Sequence, residues 1–222
     1  MERNVSMEEI SDGRLYGLND LVKADCRDCQ GCSDCCRDMG SSILLDPLDV
    51  CRLSGGLGRS FQELLEDSLE LNVVDGMILP NLRMDEKRNC CVFLDAQGRC
   101  SIHRFRPGIC RIFPLGRLYE NRDFRYFLQI HECPAVRSKI KVKKWIDTPD
   151  LQKNQQFIRD WHYFLKDLQE TFRTEAGQAR QKTVNLYVLR NFFQTPFEQT
   201  DDFYRQFEER LREAEKVCGL TA

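Results

Sequence analysis

The sequence lacks an apolar run of the roughly 20 residues that a bilayer-spanning helix needs, and its mean hydropathy is −0.51. No membrane association is expected. It also lacks the charged, apolar and small-residue succession of a leader: MERNVSMEEISDG is acidic and polar. That predicts no signal peptide and a cytoplasmic chain. Charge of one sign is missing too. Lys and Arg number 33 against 35 Asp and Glu, for a net charge of −2, so no nucleic-acid partner is expected. Glycine clusters are scarce. SGGLG at 54–58 follows helix-like sequence and not a strand, so it reads as a helix stop rather than a dinucleotide-type fingerprint. No cysteines stand at C-x3-C-x2-C spacing, which excludes a radical-type adenosylmethionine cluster.

Cysteine, by contrast, is abundant, with 12 in 222 residues. In a reducing compartment such clusters serve metals or redox centres more often than disulfide frameworks. Cys51 and Cys218 stand alone in helix-like sequence and read as small buried hydrophobes. The rest begin with CRDCQGCSDCC at 26–36. Two residues between cysteines let one turn offer two sulfurs to one ion, and three such steps in a row point strongly to a metal or cluster. Cys35 and Cys36 are adjacent. Neighbouring side chains diverge on a helix or strand, so the pair is expected to serve different metals, or different irons of one cluster.

Zinc sites usually combine paired C-x2-C halves. Here the distal cysteines, Cys91, Cys100, Cys110 and Cys133, are single. Three cysteines at C-x2-C-x2-C with a distant Cys-Pro is a ferredoxin-like spacing, and Cys133 precedes Pro134. Iron–sulfur is therefore favoured, with zinc the alternative. GRCSIHRFRPGICRIFPLGR at 98–117 is rich in arginine and free of acid. Its cations can offset the charge of thiolate ligands. Alternatively, Arg104, Arg106 and Arg111 form an anion site for a cofactor or substrate. His103 is read as a hydrogen-bonded support and a further candidate ligand. His131 is a weaker candidate ligand, and His162, beside Trp161 in helix sequence, is structural.

Local patterns predict the elements. Ser6 with Glu9, and Ser60 with Glu63, fit capping boxes. Asp46 and Pro47 open a helix that Gly55 and Gly56 close. LELNVVDGMILPNL turns at Asp75-Gly76, CVFLDAQGRCSI at DAQG and GRLYENRDFRYFLQI at ENRD, giving three hairpins. From Trp145 on, Leu151, Phe157, Ile158, Trp161, Phe164, Leu165 and Leu168 define one apolar stripe, and helices follow at about 178–193 and 201–217. The expected architecture is α+β: a small, irregular cysteine-rich metal domain with short antiparallel hairpins over 1–144, and a segment of about three helices over 145–222 packed on it.

CQGCSDCC at 29–36, CVFLDAQGRCSIHRFRPGICRIFP at 91–114 and CP at 133–134 together resemble the YkgJ-type cysteine-cluster family, the CxxCxxCC zinc- or iron-chelating domain. The resemblance spans about 24–136. It implies a metal set of Cys29, Cys32, Cys35, Cys36, Cys91, Cys100, Cys110 and Cys133, with Cys26 and Cys90 as extras outside the pattern. The domain is also similar to part of the flagellin lysine N-methylases. That similarity alone implies S-adenosylmethionine as a cofactor, lysine methylation as an activity and flagellin, or another protein, as a partner. The other readings are a zinc-stabilised binding module and an iron–sulfur electron-transfer or redox-sensing protein.

Overall fold

A computed structural model describes residues 6–25, 32–133 and 138–220. It is α+β, with short antiparallel sheets and long C-terminal helices. Packing divides the chain into two discontinuous compact units. The first draws on positions up to Ile43 and on Met84–Leu151. The second draws on Leu44–Arg83 and on the chain from Gln152 onward.

The first unit opens with α1 (Met7–Ile10), β1 (Ser11–Tyr16) and β2 (Leu21–Asp25). It resumes with two short strands, β5 (Met84–Asp85) and β6 (Cys90–Cys91), which follow the second unit's β3 (Leu69–Val74) and β4 (Met77–Leu82). Next come α4 (Gly108–Ile112), β7 (Leu115–Glu120), β8 (Asp123–Gln129), β9 (Ser138–Lys141) and α5 (Val142–Ile146).

Its main sheet has the order β1-β8-β7. The β7–β8 hairpin forms at the expected ENRD turn: Asn121 and Arg122 take φ 51° and 57°, the double left-handed turn that matches strand twist. Gly116 faces Phe127 across this ladder, and a Cβ there would lie 2.2 Å from the Phe127 ring. The ring therefore occupies the space a side chain would need. β2 pairs with β9, burying Val22 and Ala24, and α5 adds Val142 and Ile146 to the same core.

The second unit contains α2 (Pro47–Leu57), α3 (Phe61–Asp67), the β3–β4 hairpin, α6 (Leu151–Thr171), α7 (Glu175–Leu189) and α8 (Phe203–Cys218). A π-helical turn, Arg190–Gln194, continues α7. The apolar stripe of α6 buries Phe157, Ile158, Trp161, Phe164 and Leu168. Phe157 meets Phe207 edge-on at 4.6 Å, Trp161 meets Phe192 at 5.0 Å, and Phe61 stacks on Phe193 at 6.1 Å. Asn185 of α7 caps the open edge of β4. Its Oδ1 accepts the Ile78 N–H at 2.6 Å, and its Nδ2 donates to the Gly76 carbonyl at 2.9 Å.

Both the Asp46–Asp49 and Ser60–Glu63 capping boxes form. Ser6 stands at the N-cap of α1 without a side-chain cap bond, so that expected box is absent. Helix α2 runs through Gly55 and Gly56 and stops at Gly58, which takes φ 65°. A stop needs the left-handed conformation, and Gly58 supplies it. The DAQG turn forms, but only Leu94 and Cys100 pair across it, so the second hairpin shrinks to one bridge. Among the described residues no helix is long and apolar enough to cross a membrane.

Candidate metal centre

The first unit builds its cysteine locus from short backbone pairings. Cys35 and Cys36 lie on one 3-10 turn, Asp34–Cys36, closed by the Cys36 N–H on the Ser33 carbonyl at 2.9 Å. The next residue, Arg37, bridges antiparallel to Cys90. That bridge brings the end of the 3-10 turn to β6. On its other edge β6 pairs with β5, Cys91 opposite Met84 and Cys90 opposite Asp85. The Asp38 N–H donates to the Asn89 carbonyl at 3.2 Å, and the Asn89 amide reaches the Asp38 carboxylate. The two cysteine pairs are thus held together by a two-sided ladder around β6.

Cys100 arrives through the turn at DAQG. The Asp95 carboxylate accepts from the Gln97 and Arg99 N–H groups at 2.9 and 2.7 Å. Gly98 takes φ 72°, and the Leu94–Cys100 bridge closes the loop. Immediately afterwards the His103 N–H donates to the Cys100 carbonyl at 3.2 Å. This starts a 3-10 turn, His103–Phe105, that delivers Arg106. Cys110 lies on α4 and is half-buried, as are Cys32 and Cys133.

Electrostatics tie these segments together. The Cys36 side chain hydrogen-bonds to Cys35; that bond and burial push the Cys35 thiol far up, while Arg106 pulls it back. Burial pushes Cys91 up to about 11, against a backbone hydrogen bond at Phe93, with Cys100, Cys90 and Cys35 adding to the rise. Burial also raises Cys100, opposed by a backbone hydrogen bond at Ile102 and by Arg106, and reinforced by Cys35. The influence of Cys35 thus reaches both Cys91 and Cys100, and that of Cys100 reaches Cys91. The touching pair does not diverge as the helix-or-strand argument expects: on this 3-10 turn the two sulfurs come within hydrogen-bonding reach.

The arginines separate by role. Arg111 spends its guanidinium on backbone, donating to the Asp147 carbonyl at 3.3 Å and to the Arg104 carbonyl at 3.1 Å. It thereby ties α5 and the 3-10 turn to α4. The Arg104 side chain is exposed. Arg106 contacts His103 Nε2 through Nη1, and its charge acts on Cys35 and Cys100. Sequence grouped these three together. Their separation depends on the 3-10 turn and on α4, neither of which has a periodic signature.

Cys90 is buried beside Arg88, whose Nε donates to Asp85 at 2.7 Å. His131 is exposed at φ 67°. Cys26, Cys29 and Pro134 lie outside the described residues. Cys51 and Cys218 fall in the second unit. Cys218 is buried on α8, and Cys51 on α2 takes a hydrogen bond from Gln199 Nε2 at 3.3 Å. His162 meets the Tyr163 ring at 5.0 Å on α6.

The donor chemistry suits a thiophilic metal. Cys32, Cys35, Cys36, Cys90, Cys91 and Cys100 carry free thiols, and thiolates select zinc, Cu(I) and iron–sulfur clusters. Among the described residues no three His, Cys, Asp or Glu side chains are drawn together tightly enough to hold an ion as they stand. The fit therefore rests on donor type and on the mutual nearness of the thiols.

No curated protein and no solved structure matches the chain. The model of the CxxCxxCC family, described as a "Putative zinc- or iron-chelating domain", matches residues 28–134. That span covers the 3-10 turn, β6, the Asp95 turn and α4, and so every backbone pairing that gathers the cysteines. Residues 28–134 of the chain are therefore similar to the CxxCxxCC family of zinc- or iron-chelating domains.

Proposed function

We propose that the first unit is a polynuclear thiolate centre of iron–sulfur type. Its ligands are drawn from Cys29, Cys32, Cys35, Cys36, Cys91, Cys100, Cys110 and Cys133. The reading is supported by the nearness of thiols from separate segments: Cys35 adds to the rise at Cys91 and at Cys100, and Cys100 adds to that at Cys91. A bound cation relieves that repulsion, and binding it releases the thiol protons. Adjacent sulfurs at Cys35 and Cys36 fit neighbouring metals of one centre better than two remote sites. The role that follows is electron transfer or redox sensing.

A zinc-stabilised binding module is the second reading. It is favoured by the cysteine-bearing segments themselves, a two-residue strand and 3-10 turns, where a metal would supply folding free energy. Anaerobic purification with counts of iron, zinc and acid-labile sulfide separates the two. A broad band near 400 nm with matching iron and sulfide supports iron–sulfur. A colourless protein with stoichiometric zinc overturns it. Calorimetry with S-adenosylmethionine on the same sample tests the activity that the lysine methylases suggest; no binding at millimolar cofactor removes it.

A further inference from the structure

Among the buried side-chain polar atoms, Arg106 Nε has no hydrogen-bond partner among the described residues. A buried donor left unpaired is costly, and an arginine fork is built to engage an anion. The rest of the side chain is fixed. Nη1 touches His103 Nε2, and the turn carrying both residues hangs from the Cys100 carbonyl through the His103 N–H at 3.2 Å. The arginine is thus anchored by the segment that carries one cysteine. Its charge reaches Cys35 as well as Cys100.

We infer that Arg106 is the charge-balancing residue of the thiolate centre: its Nε–H donates to a ligand sulfur of Cys35 or Cys100 when metal is bound, with His103 holding the guanidinium in place. The inference rests on the metal-binding reading above. Four thiolates around a divalent ion leave the centre net negative. One fixed cation offsets part of that charge, and an N–H donor to a ligand sulfur tunes it further. Arg111 differs in that both of its terminal nitrogens are already engaged, with the carbonyls of Asp147 and Arg104. Arg104 is exposed and serves as the control.

The test is anaerobic titration of the metal-free full chain with Co(II), read by the sulfur-to-cobalt charge-transfer band, followed by competition against Zn(II). Arg106→Gln is expected to weaken cobalt binding by about 10- to 100-fold, the range for outer partners of metal ligands, and to shift the band. Arg106→Lys keeps the charge without the planar Nε–H donor, so an intermediate loss of about two- to tenfold is expected. Arg104→Gln should match the parent chain. An Arg106→Gln protein with parental affinity and an unmoved band overturns the inference while leaving the metal reading intact. Should Arg106→Gln fail to fold, Arg106→Lys decides, and parental values for it overturn the inference. A parent chain that takes up no cobalt, zinc or iron overturns both.

Discussion

The two compact units contrast in what holds them. The second packs rings against rings: Phe192 and Phe207 are almost fully buried, and Leu53, Leu64, Leu69, Met77, Leu82 and Leu168 complete the core. The most completely buried side chains of the first unit are aliphatic, Val22, Ile102, Leu115 and Ile146, and its buried set includes the thiols of Cys90 and Cys91. Long amphipathic helices bury enough apolar surface to be stable by themselves. Two-residue strands and 3-10 turns do not, and chains built that way usually rely on crosslinks or metals. The first unit has its own buried sheet core, with Tyr16, Phe124, Tyr126 and Phe127, but its cysteines are carried by those short pieces.

Chelation is the strongest way to separate them. Stripping metal anaerobically should abolish hydrogen-exchange protection in β6 and in the turns at Asp34–Cys36 and His103–Phe105, while α6 and α8 keep theirs. Equal loss in both units would break the contrast.

The converse perturbation is Phe207→Ala, which removes a ring 1% exposed that contacts Phe157, Trp161 and Phe192. It should cost about 3–5 kcal/mol in urea unfolding and leave metal stoichiometry unchanged. Cys100→Ser should lower that stoichiometry, whereas Cys51→Ser, in the second unit, should not.

A smaller effect comes from pH. In the metal-free protein Cys91 titrates near 11 instead of its ordinary 9.0. The folded state is favoured while that thiol is neutral. This advantage is complete below pH 9 and disappears as pH rises to 11, a loss of about 2 kcal/mol. Urea midpoints between pH 8 and 11 should fall accordingly, and Cys91→Ala should flatten the decline. The least effect expected is from Asp46→Ala, which removes the capping box of α2 and should lower the stability of the second unit by about 1 kcal/mol.

Features fixed by a few neighbouring residues were legible in the sequence. Asp75-Gly76 and Asn121-Arg122 turn the chain where they should, and Asp46-Pro47 and Ser60-Glu63 start helices, because each acts through its own backbone. Pairings between distant segments were not legible. β1 and β2 carry no local signature because their partners are β8 and β9: Ser11 lies opposite Gln129 and Val22 opposite Ile140. The approach of the Asp34–Cys36 turn to β6 depends on the single bridge between Arg37 and Cys90, which no spacing rule encodes. The sequence divides by composition near residue 144. The packing instead joins 44–83 to the later helices, through Phe61 on Phe193 and through Asn185 on the β3–β4 turn. The cysteine motif pointed to candidate ligands, and the separate placements of Arg104, Arg106 and Arg111 emerged only with the turn and helix that carry them.

The cap that Asn185 places on Ile78 spans 107 residues of chain. At synthesis rates of about 5–20 residues per second, the β3–β4 hairpin leaves the ribosome roughly 5–20 s before the residue that will cover its edge. Leu44 and Leu45, made earlier, already pair with Asn81 and Pro80 at one end of β4. The order in which this protein is made therefore leaves only the Ile78 end of the strand to wait for Asn185.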